Sequence, residues 1–244
     1  MKAKIHNSEG EMYMAYTMTH IFIAEKLFDR FQKKIDYATY ILGATGPDAV
    51  HVLENYTPKL KERSHLFPPG LRWGEVSKGE DDRNWLASIK RYYLENRQSD
   101  STGFLEGYIV HLLSDVYCAV HFFEPFVKSI TSEREKIMAQ LKEESYGVNY
   151  YFYELFSKQD DLYQILREGK AETLEHVIEK ETIERRTDQL FEFEFKPRDI
   201  SKIADYEICR IEDMERIINE ACEFILQVVS DDGYVDFFNN RYID

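Results

Sequence analysis

Cysteine is scarce: the 244 residues contain three, Cys118, Cys209 and Cys222, scattered and odd in number. They make neither a disulfide framework nor a thiolate zinc knuckle, and a reducing compartment is the simpler setting. Long apolar runs are lacking too. No segment approaches the roughly 20 apolar residues that a bilayer span needs, and MKAKIHNSEGEMYMAY has no continuous apolar stretch of the secretory-leader kind, so the expectation is a cytoplasmic protein with no transmembrane segment. Positive charge is short. Against 45 Asp plus Glu stand 31 Lys plus Arg, a net charge of -14, which would repel duplex nucleic acid and anionic membranes from most of the surface. No His-Asp dipeptide occurs, which excludes the helical phosphohydrolases built on that pair. Only one Glu-x-x-His is present, ERSH, whereas a ferritin-like di-iron site needs two on helices. Alternating Val/Ile/Thr runs bounded by glycine turns are also few, leaving little sequence for a sheet.

What remains is an all-α chain. Apolar residues make up 43%, aromatics 14% and charged residues 31%, the profile of one soluble globular domain over 1–244. A first helix is expected from Thr17, whose hydroxyl stands where a cap belongs, with His20 on the side of Ala24 and Leu27. A short second helix near Tyr37 should end at Gly43, since ATGPDAV follows and leaves Asp48 at a helix boundary or loop. From Glu54 to Gly79 the helical pattern dissolves, with three of the six prolines, and an irregular segment or lid holding His65 is expected. Helix resumes in DDRNWLASIKRYYLENR and FLEGYIVHLLSDVYCAVHFF, which Pro125 ends or kinks. The half from 126 to 244 reads as charged amphipathic helices starting near Ser132, Val148, Ala171 and Pro197, then the polar tail DDGYVDFFNNRYID.

The stretch GYIVHLLSDVYCAVHFF places His111, Asp115 and His121 in an otherwise apolar helix. Residues four apart lie about 40° around and about 6 Å along a helix, so His111 and Asp115 share a face and one ion. His121 is roughly 15 Å beyond His111, too far for the same ion when zinc bonds are about 2 Å long. A hydrogen-bonded core pair is the alternative for His111 and Asp115. Further ligands must come from other segments: His20, Asp48, and His65 or its neighbour His51. His6 and His176 read as surface residues. An all-nitrogen-and-oxygen set suits zinc and also iron or manganese. The aromatic string YGVNYYFYELF reads as core packing rather than a cation-binding cage.

These pieces come in a specific order: a His in the first helix, GATGPD ending at Asp48, RSHLF around His65, then GYIVHLLSDVYCAVH. In that order they resemble the zinc-dependent phospholipase C family over roughly the first half of the chain. The resemblance implies an all-helical bundle of the type shared with single-strand nucleases, and metal-dependent hydrolysis of a phosphoester, phospholipid-like or soluble. The acidic composition and absence of a basic stripe argue against a polynucleotide. It implies that Asp48, His65, His111 and Asp115 hold one zinc ion, that Asp115 bridges to a second with His20, and that His121 serves a third. Asp48 and Asp115 are then the catalytic candidates, Asp48 either as a ligand or as the group orienting the attacking water.

The sequence departs from the family at two points. No tryptophan precedes Trp73, and no histidine lies between His121 and His176, so the residues completing the family's other sites have no counterpart. Glu124, Asn149 or Glu154 could stand in, and nothing singles one out. Two zinc ions are expected, with the ligands of a third incomplete. The alternative is a non-catalytic metal-binding or regulatory module that retains the fold.

Overall fold

A computed structural model of the chain describes residues 16–31, 34–71, 75–97, 102–231, 234 and 237–238. His6, Trp73 and most of the C-terminal tail fall outside them. The described residues form ten α-helices and no strand, only an isolated antiparallel bridge between Leu174 and Ile178.

Helix α1 (Thr17–Phe28) is apolar around most of its circumference, with Met18, Ile21, Ile23, Ala24 and Leu27 buried alongside His20. Thr17 does not cap it. Its hydroxyl donates instead to Glu194 Oε2 at 2.7 Å, and the amide of Met18 donates to Asn149 Oδ1 at 2.9 Å, a cap supplied by tertiary packing that no local pattern announces. Asn149→Ala is therefore expected to cost about 1 kcal/mol, read from urea unfolding, as loss of an ordinary N-cap does.

Helix α2 (Tyr37–Gly43) is capped locally, Asp36 Oδ1 accepting from the Thr39 amide at 2.8 Å and its hydroxyl at 2.6 Å. It stops at Gly43, and a 3-10 turn over Pro47–Val52 carries Asp48. The stretch expected to be irregular from Glu54 is partly helical. Pro58 opens α3 (Pro58–Ser64), because proline at the first helical position has no intrahelical N–H to lose. His65 ends it. Leu66 turns left-handed at φ 55°, and the amides of Leu66 and Phe67 donate back to Arg63 and Glu62 carbonyls at 3.1 and 3.0 Å, the paired bonds of a Schellman end.

Helix α4 (Glu80–Asn96) leads to α5 (Phe104–Cys118), in which every residue is buried. A wider turn over Ala119–Phe123 joins it to α6 (Glu124–Ser129). Pro125 lacks an N–H and its ring would crowd the carbonyl four residues back, a conflict that one wide turn absorbs.

Beyond it, α7 (Arg134–Leu155) begins two residues after the start expected near Ser132 and runs unbroken through the one expected at Val148; a lone glycine inside it costs only about 1 kcal/mol. Helices α8 (Leu162–Glu168), α9 (Lys180–Gln189) and α10 (Ile211–Asp231) follow, and α9 widens at its end over Leu190–Glu194. The starts expected at Ala171 and Pro197 thus fall in connecting segments. Ahead of α10 the amides of Ile208 and Cys209 are both held at 2.8 Å by the carboxylate of Glu144.

The position of α5 follows from its composition: it is surrounded by α1, α2, α4 and α10. Its tightest crossing is with α2, where Gly43 and Gly107 allow backbone against backbone. One apolar cluster joins residues from α1 through α10. All three cysteines are buried free thiols. Among the described residues no helix is long and apolar enough to cross a membrane.

Candidate metal centre

The α2–α5 crossing starts the site. It presents the Ala44 carbonyl to His111 Nδ1 at 2.8 Å, and since a carbonyl only accepts, Nδ1 carries the proton and Nε2 keeps its lone pair. Ser114, one turn along α5, donates its hydroxyl to the His111 carbonyl at 2.7 Å and lies 2.7 Å from His20 Nδ1. Its hydrogen being committed, Ser114 Oγ accepts from His20 Nδ1–H. In the same way His65 Nδ1 donates to the Lys61 carbonyl at 2.9 Å. Three imidazoles from three helices are thus fixed in one tautomer by their second nitrogen, the arrangement by which proteins orient metal-binding histidines.

Their Nε2 atoms converge on two carboxylates. Asp115 Oδ2 lies 3.3 Å from His65 Nε2 and 3.5 Å from His111 Nε2, and Asp115 Oδ1 is 3.6 Å from His20 Nε2. Asp48 Oδ1 lies 3.5 Å from His65 Nε2. Two overlapping sets, His20 with Asp48 and His111, and His65 with His111 and Asp115, each bring their ligand atoms within 4.8 Å of one another. With metal bonds of about 2.0–2.1 Å, neighbouring ligands of a tetrahedral ion stand roughly 3.3–3.4 Å apart. Of the separations at Asp115, the 3.3 Å to His65 has that length and the 3.5 and 3.6 Å to His111 and His20 slightly exceed it, all long for hydrogen bonds. The Nε2 atoms of His20 and His111 are fully buried and have no hydrogen-bond partner among the described residues, which is costly unless a cation takes their lone pairs. Buried His and Asp groups that could hold a metal ion are therefore present.

Burial and the neighbouring His111 ring, stacked at 3.6 Å between centroids, push the His20 imidazole down to about 3. Burial acts to raise both carboxyls. At Asp48 it is overcome by the Lys61 ammonium with His51 and His65, and at Asp115 by His111, His20 and His65, so both lie below the usual carboxylate range. His65 moves the other way: burial lowers it, but Asp115 and Asp48 outweigh burial and raise it.

Comparison with protein-family models, curated proteins and solved structures finds no match for this chain.

Of the six sequence candidates, His20, Asp48, His65, His111 and Asp115 gather at this point. His121 does not. It is exposed, stacked on Tyr117 at 4.5 Å between centroids, and belongs to no group of three potential ligands among the described residues. The wide turn at Ala119–Phe123 does not bring it back. The suggested stand-ins are engaged elsewhere or exposed: Glu124 pairs with Lys128 at 2.7 Å, Asn149 caps α1, and Glu154 is exposed. His51 and His65 proved not to be alternatives. Both reach Asp48 Oδ1 at 3.5 Å.

Lys61 was missed by sequence reasoning. It is 3% exposed, with Nζ 3.2 Å from Asp48 Oδ1. Its signal was present: once Pro58 is taken as the first residue of a helix, Lys61 and His65 stand one turn apart on one face. The backbone around His65 is held on both sides, the Trp85 indole donating to its carbonyl at 2.7 Å and the Tyr108 hydroxyl to the Ser64 carbonyl at 2.5 Å.

Proposed function

We propose that the chain is a metal-dependent phosphoester hydrolase whose ion, zinc by preference, is held by His65, His111, Asp115 and Asp48, with His20 alongside. The observation that carries this reading is the convergence of the Nε2 atoms of three imidazoles, each oriented through Nδ1, on two buried carboxylates. The donor set is all nitrogen and oxygen, suited to zinc and to iron or manganese. A divalent ion there would supply Lewis acidity, lowering the pKa of a water to about 7 and offsetting charge on phosphate oxygens. The chain's own residues do the rest. Ser114, Ala44 and Lys61 keep the three imidazoles oriented through Nδ1, and Asp48, whose Oδ1 is also approached by Lys61 and His51, would serve as a ligand or orient a water.

The substrate class is a small phosphodiester or phospholipid-type molecule. The resemblance in the order of GATGPD, RSHLF and GYIVHLLSDVYCAVH supports the phosphoester, and the charge of -14 argues against polynucleotides. One observation favours a second reading, a structural or regulatory metal site without turnover: His20, Asp48, His65, His111 and Asp115 are all 5% exposed or less. Sites that keep an open ligand position are the catalytic ones.

Elemental analysis of the full chain purified without chelator tests the metal, with His111→Ala and Asp115→Ala beside wild type. About one equivalent or more of zinc, iron or manganese in wild type, reduced at least tenfold in affinity in each variant, is expected, since losing a ligand costs at least what losing its orienting partner does. Metal content unchanged in both variants overturns the reading. Hydrolysis of bis(p-nitrophenyl) phosphate by the loaded wild type, lost in Asp115→Ala, separates hydrolase from structural site.

A further inference from the structure

Lys61 shares its carboxylate oxygen with the centre. Asp48 Oδ1 is approached by Lys61 Nζ at 3.2 Å, His51 Nε2 at 3.5 Å and His65 Nε2 at 3.5 Å. A buried ammonium costs several kcal/mol unless a carboxylate and further bonds compensate it. Here Asp48 lies within pairing distance. The same residue's carbonyl accepts from His65 Nδ1 and from the Ser64 hydroxyl at 3.0 Å, so the backbone that holds Lys61 is locked to the ligand it neighbours. Lys61 thus places a positive charge directly on Asp48 Oδ1, the carboxylate oxygen that His51 and His65 also approach.

Charge points the same way. Asp48 and Asp115 bring two negative charges and Lys61 one positive, so one divalent ion already turns the pocket net positive. A second, in a site this buried, would meet the ammonium a few ångströms away with little water to screen it.

We infer that Lys61 is a built-in cation that occupies the second-ion position at Asp48 and restricts the centre to a single divalent ion. The inference rests on the metal reading above and replaces the expectation of two ions. Lys61 is a positioning residue, acting through Asp48.

The test is zinc stoichiometry of the full chain, by calorimetric titration and by elemental analysis after dialysis, for wild type, Lys61→Met and Lys61→Arg. Wild type is expected to take up about one equivalent, and Lys61→Met, which keeps the length and loses the charge, about two, with Lys61→Arg returning to about one. A merely structural lysine would change the unfolding midpoint and leave the stoichiometry alone. Two equivalents in wild type, or one in a folded Lys61→Met, overturns the inference while leaving the metal reading intact. Wild type that binds no divalent ion overturns both. Should Lys61→Met fail to fold, Lys61→Gln serves the same comparison, and the wild-type titration still overturns the inference if it shows two sites.

Discussion

Gly107→Ala is expected to destabilise the chain by more than about 3 kcal/mol and to remove most of its bound metal. A Cβ at Gly107 would stand 2.0 Å from the Tyr40 carbonyl oxygen and 2.9 Å from the Ala44 amide nitrogen. Both are backbone atoms of the α2 segment, so no rotamer change relieves the clash. Overpacking that side chains can absorb costs about 1–3 kcal/mol, and here two helices must separate. The metal follows because the same crossing presents the Ala44 carbonyl to His111 Nδ1. Moving α2 outward breaks that bond and frees the imidazole to rotate or change tautomer. Urea unfolding and elemental analysis of the same preparation check both effects. Gly70→Ala is the control. Gly70 has φ 90° with nothing within 4 Å of its would-be Cβ, so only backbone strain is added, about 1–2 kcal/mol, and metal content should hold. Gly107→Ala within about 1 kcal/mol of wild type would mean that α2 and α5 do not cross this closely.

The histidines of this site were legible because helical spacing is a strong constraint and the ligand types are few. His111 and Asp115 share a face of α5 in any register that leaves the helix intact, and His20 falls on the buried side of α1 for the same reason. GATGPD placed Asp48 outside a regular helix through its glycines and proline. Less legible was everything that depends on a partner distant in sequence. Thr17 looked like a cap, but its hydroxyl is taken by Glu194, and the Met18 amide is satisfied by Asn149. Those choices were made by packing between α1, α7 and the end of α9, which no local window contains. The segment around His65 was misread for a different reason. Its prolines were counted as breakers, whereas Pro58 is an initiator, and the helix it starts is what places Lys61 beside Asp48. His121 shows the limit of motif order: its spacing fits the pattern, yet no second ligand reaches it among the described residues.

The second large effect is expected far from the histidines, at Arg186. Its Nη2 donates to Glu194 Oε1 at 2.5 Å and to Thr17 Oγ1 at 3.2 Å, and Thr17 in turn donates to Glu194 Oε2 at 2.7 Å. The three side chains close a buried ring that ties the end of α9 to the first residue of α1, one turn before His20. Arg186→Met leaves Glu194 as a carboxylate answered, among the described residues, by the Thr17 hydroxyl in a site where its side chain is 11% exposed. Breaking a buried pair from one side typically costs about 3–5 kcal/mol, most of it the penalty of the charge left behind. That origin makes a further prediction. Adding Glu194→Gln to Arg186→Met removes the stranded charge and keeps an acceptor for Thr17, so the double variant should be more stable than Arg186→Met alone. Strict additivity of the two substitutions in a double-mutant cycle would mean that the residues do not interact. Because the ring anchors the first residue of α1, the single variant should also weaken zinc binding, and the double variant should restore it in step with stability. Stability regained without metal affinity would separate the anchoring of α1 from the placement of His20.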